Sequence, residues 1–261
     1  MRFKYLPAAI ALTFSITGCA TGALPEAVMA ETEAETLKPV PVALEKGQVL
    51  SYILINSKTS EAAKEARQEY YTRAFPLASG YGLQRVLDLS VPAKLVGTTK
   101  RDAVAIFSYP DAASEAGLAA DPNWPQIKAL RPQAWEELAI FTGTLEQPLS
   151  FSFSPEKAYT LAVAEITPES PEDYNTYMRG IEPGLNEIGG RFIYRMINPS
   201  VESHGKQYTK DVQVTLVEWD DPSAIATFTQ NDFYKQYSKY FGTGVSGFEF
   251  FQIKPRTPTS S

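Results

Sequence analysis

One stretch of this 261-residue chain is present twice, and this repeat constrains the fold more than any other feature. Residues 99–126 match residues 209–236 without a gap at a constant shift of 110 positions. The identical pairs include Lys100 and Lys210, Val104 and Val214, Asp111 and Asp221, Ala116 and Ala226, and Gln126 and Gln236. A period this long that occurs only twice indicates a duplicated domain and not a solenoid.

Each copy also shows the same order of predicted elements, namely strand, helix, strand, strand, helix, strand. Apolar residues recur at helical spacing in the first helix of each half. These two stripes are Ala63, Ala66, Tyr70, Ala74 and Leu77, and then Tyr174, Tyr177, Ile181, Leu185 and Ile188. The order is that of a ferredoxin-like unit. We therefore predict one such domain over residues 47–148 and another over residues 155–254, joined by Leu149–Ser154.

A ferredoxin-like sheet is covered by helices on one face only, which leaves its other face to be buried elsewhere. Strands such as Phe192–Ile197 and Phe248–Ile253 nevertheless carry apolar residues on both faces. The uncovered sheet of one half is therefore expected to pack against the sheet of the other. The predicted fold class is α+β, with two tandem domains packed sheet to sheet as a pseudo-dimeric α/β barrel. An oligomer is not required, because the two halves pair within one chain.

The first residues have the layout of a targeting signal. Arg2 and Lys4 precede the short apolar run Leu6–Ile16, which is too short to span a bilayer as a stable helix. The residues Ile16-Thr17-Gly18-Cys19 then resemble the lipobox of bacterial lipoproteins. This resemblance implies a signal peptide over residues 1–18, acylation of Cys19 and attachment to the lipid bilayer. The alternative is an ordinary cleaved signal that leaves an unmodified thiol.

The residues after Cys19 are small and uncharged, without the aspartate that retains lipoproteins in the inner membrane. By the same resemblance, the expected location is the outer membrane, facing the periplasm. Residues 19–46 are rich in Ala, Glu, Pro and Thr, so we predict a flexible tether there. Residues 255–261 are predicted to form a loose tail.

The charge of the chain argues against one class of partner. Removal of residues 1–18 takes away two positive charges and changes the formal net charge from −6 to −8. An acidic protein is poorly suited to bind nucleic acid, so no nucleic-acid partner is expected.

Three segments carry a family resemblance. The turn Glu182–Phe192 resembles the helix-to-strand turn of the dimeric α/β-barrel superfamily, and Asn231–Tyr237 and Asp121–Arg131 resemble its broken second helix. The first half departs at the turn, where Gly80–Gly82 stands in place of Gly-Gly-Arg. Members of that superfamily include cofactor-independent monooxygenases, isomerases, haem-binding enzymes and proteins without known activity. The resemblance therefore implies the fold and leaves the chemistry open.

The residue inventory excludes several kinds of site. His204 is the only histidine, and we expect it in a solvated hairpin loop, Asn198–Lys206. With one histidine and one cysteine, Cys19, neither a zinc site nor a Cys-His nucleophile can be assembled. We predict no metal, no cofactor and no catalytic residue.

Four residues are candidates for binding a small anionic or carbonyl ligand. Arg85 and Arg195 lie at repeat-matched positions in apolar strands, where a guanidinium must be paired or must face a wet cavity. Pairing with a carboxylate such as Glu218 is the structural alternative. Tyr109 and Trp219 end equivalent strands and could line the mouth of a pocket, the alternative being core packing. Asp111 and Asp221 are interpreted as helix caps.

Three functions follow as hypotheses. The first is an envelope lipoprotein whose α/β-barrel module binds a small molecule without catalysis. The second is a cofactor-independent monooxygenase or isomerase of the dimeric α/β-barrel type, and the third is a structural or partner-binding envelope protein. An enzyme needs a perturbed titratable group inside a cavity, whereas an interaction protein needs an exposed apolar patch and no cavity.

Overall fold

The computed structural model describes residues 38–256. Its strands are β1 (Val40–Leu44), β2 (Val49–Ser57), β3 (Gln84–Val96), β4 (Ala103–Tyr109), β5 (Trp135–Thr144), β6 (Leu149–Phe153), β7 (Ala158–Ile166), β8 (Gly190–Ile197), β9 (Ser200–His204), β10 (Val212–Trp219) and β11 (Val245–Pro255). Its helices are α1 (Glu61–Gly80), α2 (Ala112–Ala120), α3 (Trp124–Lys128), α4 (Arg131–Ala134), α5 (Pro171–Glu187), α6 (Pro222–Thr227) and α7 (Asp232–Gly244). A 3₁₀ turn at Phe228–Gln230 connects α6 to α7.

Nine strands form one antiparallel sheet in the order β8-β10-β7-β11-β3-β4-β2-β5-β9. The four strands of each half are neighbours, and the halves join where β11 pairs with β3. The two end strands of this order, β8 and β9, are consecutive in the chain and are separated only by Asn198 and Pro199. Because β9 pairs with β5 of the first half, the sheet closes on itself as a barrel.

Alternation along the strands separates the barrel interior from its outer face. In β2, Leu50, Tyr52 and Leu54 are buried in the main core together with residues of both halves, such as Val163 and Phe251. The intervening side chains of β2 point away from that core, because successive residues of a strand face opposite sides of a sheet. Helices cover this outer face, so both faces of the sheet are buried. This arrangement explains the uninterrupted apolar strands and confirms the predicted pseudo-dimeric α/β barrel.

The helix starts follow the predicted capping chemistry. The side chains of Ser60 and Asp111 accept hydrogen bonds from the backbone N–H groups of Ala63 and Ser114. Asp221 accepts one from Ser223 at the start of α6. These bonds satisfy donors that have no partner inside the helix. The capping role of both aspartates is therefore confirmed.

The tether was predicted to extend to residue 46, and this bound is wrong. Val40–Leu44 forms β1, which pairs in antiparallel register with β6, the segment predicted as a linker between the halves. Val42 and Leu44 are buried in the main core beside Phe153. Composition missed this strand because its partner lies more than a hundred residues away in the sequence. The signal peptide and Cys19 lie outside the described residues.

Two further segments differ from expectation. His204 is in β9 and not in a loop, and its Nε2–H donates to the carbonyl oxygen of Trp135 at 3.1 Å. The tail begins later than predicted, since Pro255 ends β11 and the backbone N–H of Arg256 donates to Asp88 at 2.9 Å. Both segments are held by the other half of the barrel. Within residues 38–256, no helix has the length and apolar character needed to cross a membrane.

A buried polar cluster joins the two halves. We call it the inter-half network, and its members are Thr99, Arg101, Glu137, Glu165, Lys206, Tyr208 and Glu249. Glu249 accepts hydrogen bonds from Thr99 at 2.5 Å, from Lys206 at 2.7 Å and from Tyr208 at 3.0 Å. The side chains of Arg101 and Glu249 are 1% and 2% exposed. Charges this deeply buried require such partners.

Candidate functional site

A cavity of about 590 Å³ lies in the first half, between the outer face of the sheet and the helices. The walls come from β2, β3, β4 and β5 on one side and from α1, α2, α3 and α4 on the other. Residues 200–202 of β9, which belong to the second half, complete the lining. This volume lies within the range typical of small-molecule sites.

The helical stripes explain why the cavity is in the first half. Where α5 presents Tyr177 and Leu185 to the sheet, α1 presents Ala66 and Ala74 at the matching positions of the stripe. Tyr177 packs against Phe241 of α7 with ring centroids 4.9 Å apart. Large side chains therefore fill the space in the second half that alanines leave open in the first.

The second helix of each half also covers less space in the first half than in the second. α7 is 13 residues long and lies directly on α5, where Gly180 leaves room for the ring of Tyr237. In the first half the corresponding segment is divided into α3 and α4, of five and four residues. These short helices cover less of α1 and of the sheet, so the cavity stays open between them.

Aromatic rings and guanidinium groups line the cavity together. The guanidinium carbon of Arg85 lies 4.9 Å from the ring centroid of Phe75 and 5.8 Å from that of Phe107. Arg131 is placed similarly, 5.5 Å from Tyr70 and 5.3 Å from Trp124. Such contacts hold a cation over an aromatic face. The cavity thus offers apolar walls with a positive group at each of two places.

Arg131 is the more firmly held of these two cations. Its Nε and Nη2 groups donate to the hydroxyl of Tyr70 at 3.2 and 3.0 Å. Its Nη1 group donates at 2.8 Å to the carboxylate of Glu202, which also binds Lys128 at 2.5 Å. Burial raises the pKa of Glu202, but the charges of Arg131 and Lys128 outweigh it and lower the pKa overall.

Glu115 of α2 is a carboxylate inside a largely apolar wall. Burial raises the pKa of its carboxyl group. Tyr109 lies near Glu115. Burial is the larger cause and the charge of Glu115 the next, and they raise the pKa of the Tyr109 hydroxyl to about 12. A carboxyl group with a raised pKa in a cavity is suited to accept or donate a proton.

Trp135 holds a buried hydrogen-bond donor in the wall of the cavity. The residue lines the cavity, is 3% exposed and packs edge-on against Tyr70 with centroids 5.0 Å apart. Its indole N–H is buried and has no hydrogen-bond partner among the described residues. Because this N–H is buried and not open to the cavity, it is an unsatisfied donor in the wall, which carries a free-energy cost.

The structure brings together two of the four predicted binding residues. Arg85 and Tyr109 line the cavity, with Arg85 also bound to Asp88 at 3.0 Å. Trp219 instead lies in the core of the second half, where its indole N–H donates to Thr160 at 2.8 Å. Arg195 is exposed on β8, with its guanidinium carbon 5.4 Å from the ring centroid of Phe192.

The supposed match between the two arginines is wrong. In the sheet, Arg85 faces Phe107 and Arg195 faces Thr215, which are not equivalent positions of β4 and β10. α1 has 20 residues and α5 has 17, so the following strands are displaced by three residues. Glu218, the carboxylate considered as a partner, binds Arg191 at 2.8 Å.

The residues that sequence reasoning missed are Glu115, Lys128, Arg131, Trp135 and Glu202. The signal that could have located the cavity was present in the alanine stripe of α1, set against tyrosine and leucine in α5. As for metal binding, no three His, Cys, Asp or Glu side chains within residues 38–256 form a set that could hold an ion.

Comparison with known proteins supports the fold. No protein-family model matches the chain, and a search of curated proteins also finds no match. Among solved structures, an anthrone oxidase-like protein is similar with a TM-score of 0.53 and 12% identity, over 82% of this chain and 96% of that one.

Two other structures match at lower scores. A monooxygenase-like protein from Fusobacterium nucleatum has a TM-score of 0.44 at 12% identity, over 82% of this chain and 94% of its own. A mutant chlorite dismutase from Candidatus Nitrospira defluvii has a TM-score of 0.47 at 10% identity, over 81% of this chain and 93% of its own. Identities this low bear on architecture alone. Together with the closed sheet, the comparison shows that the chain has the dimeric α/β-barrel fold, with both ferredoxin-like halves in one polypeptide.

Proposed function

We propose that this chain binds a small, largely apolar molecule that carries an acidic or carbonyl group, in the cavity of its first half. The observation that carries the proposal is the cavity itself, with its aromatic walls and two guanidinium groups. Its lining includes five cationic side chains and three carboxylates, although the chain as a whole has a net charge of −6. This local excess of positive charge favours an anionic or strongly polarised ligand.

Filling the cavity should weaken binding. Ala74 is 3% exposed and lines the cavity, and Leu185 takes its place in the stripe of α5. We expect Ala74→Leu to weaken binding of 2-naphthoate at least about tenfold, because overpacking costs on the order of 1–3 kcal/mol. The dissociation constant can be measured by isothermal titration calorimetry.

The matched control is Ala62→Leu, which makes the same change on the exposed face of α1. It should leave the affinity unchanged. Equal affinities for the wild type and Ala74→Leu would place the ligand elsewhere, and a wild type that binds neither 2-naphthoate nor the neutral 2-naphthamide would contradict the proposal.

Catalysis is the second candidate, and the observation that favours it is Glu115. A carboxyl group whose pKa is raised by burial meets the criterion that separates an enzyme from a passive binder. A cofactor-independent monooxygenase or isomerase would use it to remove a proton from an acidic C–H group of the ligand. Anthrone is a suitable probe because it has such a group beside a carbonyl, and because a similar structure is described as anthrone oxidase-like. Hydrogen–deuterium exchange at that carbon measures the step directly.

A structural or partner-binding role is less well supported. It would need an exposed apolar patch and no cavity. Among residues 38–256 the exposed large hydrophobic side chains are Leu95, Val96 and Ile197, at 40%, 47% and 63% exposure. The cavity therefore favours a small molecule over a protein partner.

We further propose that the protein is an envelope lipoprotein anchored through Cys19, on the basis of the Ile16–Cys19 motif. Cys19→Ser should then move the protein from the membrane fraction to the periplasmic fraction, because the acyl chains supply the membrane affinity. Immunoblotting of fractionated cells measures the change. A Cys19→Ser variant that still sediments with membranes would show that the anchor is not the lipidated cysteine.

A further inference from the structure

One side of the cavity holds a cation that cannot move easily. The side chain of Arg131 is 8% exposed, and two of its nitrogen atoms donate to the hydroxyl of Tyr70. Its guanidinium group also lies over the rings of Tyr70 and Trp124. A buried guanidinium in fixed geometry needs an anion, because an unpaired charge at this depth is strongly unfavourable.

The anion that now serves Arg131 is held far less firmly. Glu202 comes from β9 of the second half, and its side chain is 48% exposed. Its described ion-pair partners are Arg131 and Lys128, and the latter is itself 36% exposed. A half-exposed carboxylate can turn into water at little cost, because water solvates it well. A fixed cation with a movable anion is an exchangeable pair.

We propose that Glu202 occupies the position in which the cavity receives the acidic group of its ligand, so that a ligand carboxylate replaces Glu202 at Arg131. This inference rests on the proposed binding function and specifies the ligand class as a planar aromatic carboxylate. The aromatic walls receive the ring system, and Arg131 receives the acid in a charge-assisted hydrogen bond. Glu202 thereby sets the specificity of the site, since any anionic ligand must compete with it while a neutral ligand need not.

Glu202→Gln tests the exchange because it keeps the size of the side chain and removes its charge. We expect the variant to bind 2-naphthoate about tenfold more tightly than the wild type, which corresponds to about 1.4 kcal/mol. Binding of the neutral isostere 2-naphthamide should not change. The matched control is Glu169→Gln, which makes the same charge change at an exposed position that does not line the cavity. Calorimetric titration of the full chain yields all of these affinities.

The outcomes distinguish a failure of the exchange at Arg131 from a failure of the binding function. If both naphthalene compounds bind but Glu202→Gln binds 2-naphthoate no more tightly than the wild type, the exchange is refuted and the binding function stands. If neither compound binds to the wild type or to Glu202→Gln, the binding function itself is refuted. A gain in Glu169→Gln equal to that in Glu202→Gln would show a general charge effect and would also overturn the exchange.

Discussion

Glu249→Gln is expected to lower the free energy of unfolding by about 3 kcal/mol. The substitution removes the charge at the centre of the inter-half network, where Lys206 lies 2.7 Å and Arg101 lies 3.9 Å from the Glu249 carboxylate. Each cation then keeps only one carboxylate partner, Glu165 for Lys206 and Glu137 for Arg101. Urea denaturation of the full chain, followed by tryptophan fluorescence, measures the change.

The control for this prediction is Glu69→Gln, which breaks the surface pair between Glu69 and Arg73. The side chains of Glu69 and Arg73 are 54% and 39% exposed, so the free energy of unfolding should stay within about 0.5 kcal/mol of the wild type. If Glu249→Gln costs no more than this control, the inter-half network contributes nothing specific to the barrel.

The same network predicts the alkaline behaviour of the protein. Burial lowers the pKa of Lys206, but its bonds to Glu249 and Glu165 outweigh burial and raise the pKa overall. A lysine whose pKa is raised in the folded state stabilises the protein below its unfolded pKa, about 10.4. That stability is lost as the pH rises through the folded pKa. Glu249→Gln should therefore flatten the alkaline decline.

Glu115→Gln is expected to lower the rate of hydrogen–deuterium exchange in anthrone by about 100-fold or more, if the site is catalytic. Glutamine has nearly the same shape and cannot accept the proton. In the wild type the rate should rise with pH as Glu115 loses its proton. This rise should occur above the pH range in which glutamate ordinarily loses its proton, because burial raises the pKa of Glu115. Nuclear magnetic resonance in D₂O follows the exchange, with the enzyme-free rate subtracted.

Stability distinguishes this role from a structural one. Because burial raises the pKa of Glu115 in the folded state, its charged form opposes folding, and that penalty grows as the pH rises through the folded pKa. Glu115→Gln should therefore be at least as stable as the wild type at neutral pH. A variant that keeps the wild-type exchange rate, measured against Glu169→Gln, would leave the protein a binder and not an enzyme.

The repeat and the strands that are apolar on both faces were sufficient to predict the barrel. They were not sufficient for β1 and β9, because each of these strands pairs with a segment that is distant in the sequence. The dense apolar run of β2 predicts a strand, but nothing local to Ser200–His204 indicates a partner in β5. Pairing of this kind depends on the closure of the whole sheet.

The candidate site was predicted only in part, because the two halves pack differently around the sheet. Tyr109 and Trp219 are equivalent and both are buried, yet only Tyr109 lines the cavity, because the helices above them differ. Arg131 ends the segment that resembles the broken second helix, but its role cannot be predicted from that segment, because it depends on Tyr70 and Glu202, which are 61 and 71 residues away. A single strand or helix does not contain that information.

The filled second half has a consequence for how such a site can evolve. In a symmetric homodimer each substitution appears in both subunits, so opening a cavity removes packing twice. In this chain the same barrel is made from two halves that vary independently. Tyr177 and Leu185 can keep one half well packed while Ala66 and Ala74 leave the other open. Fusion thus divides two selective demands, stability and binding, between the halves of one molecule.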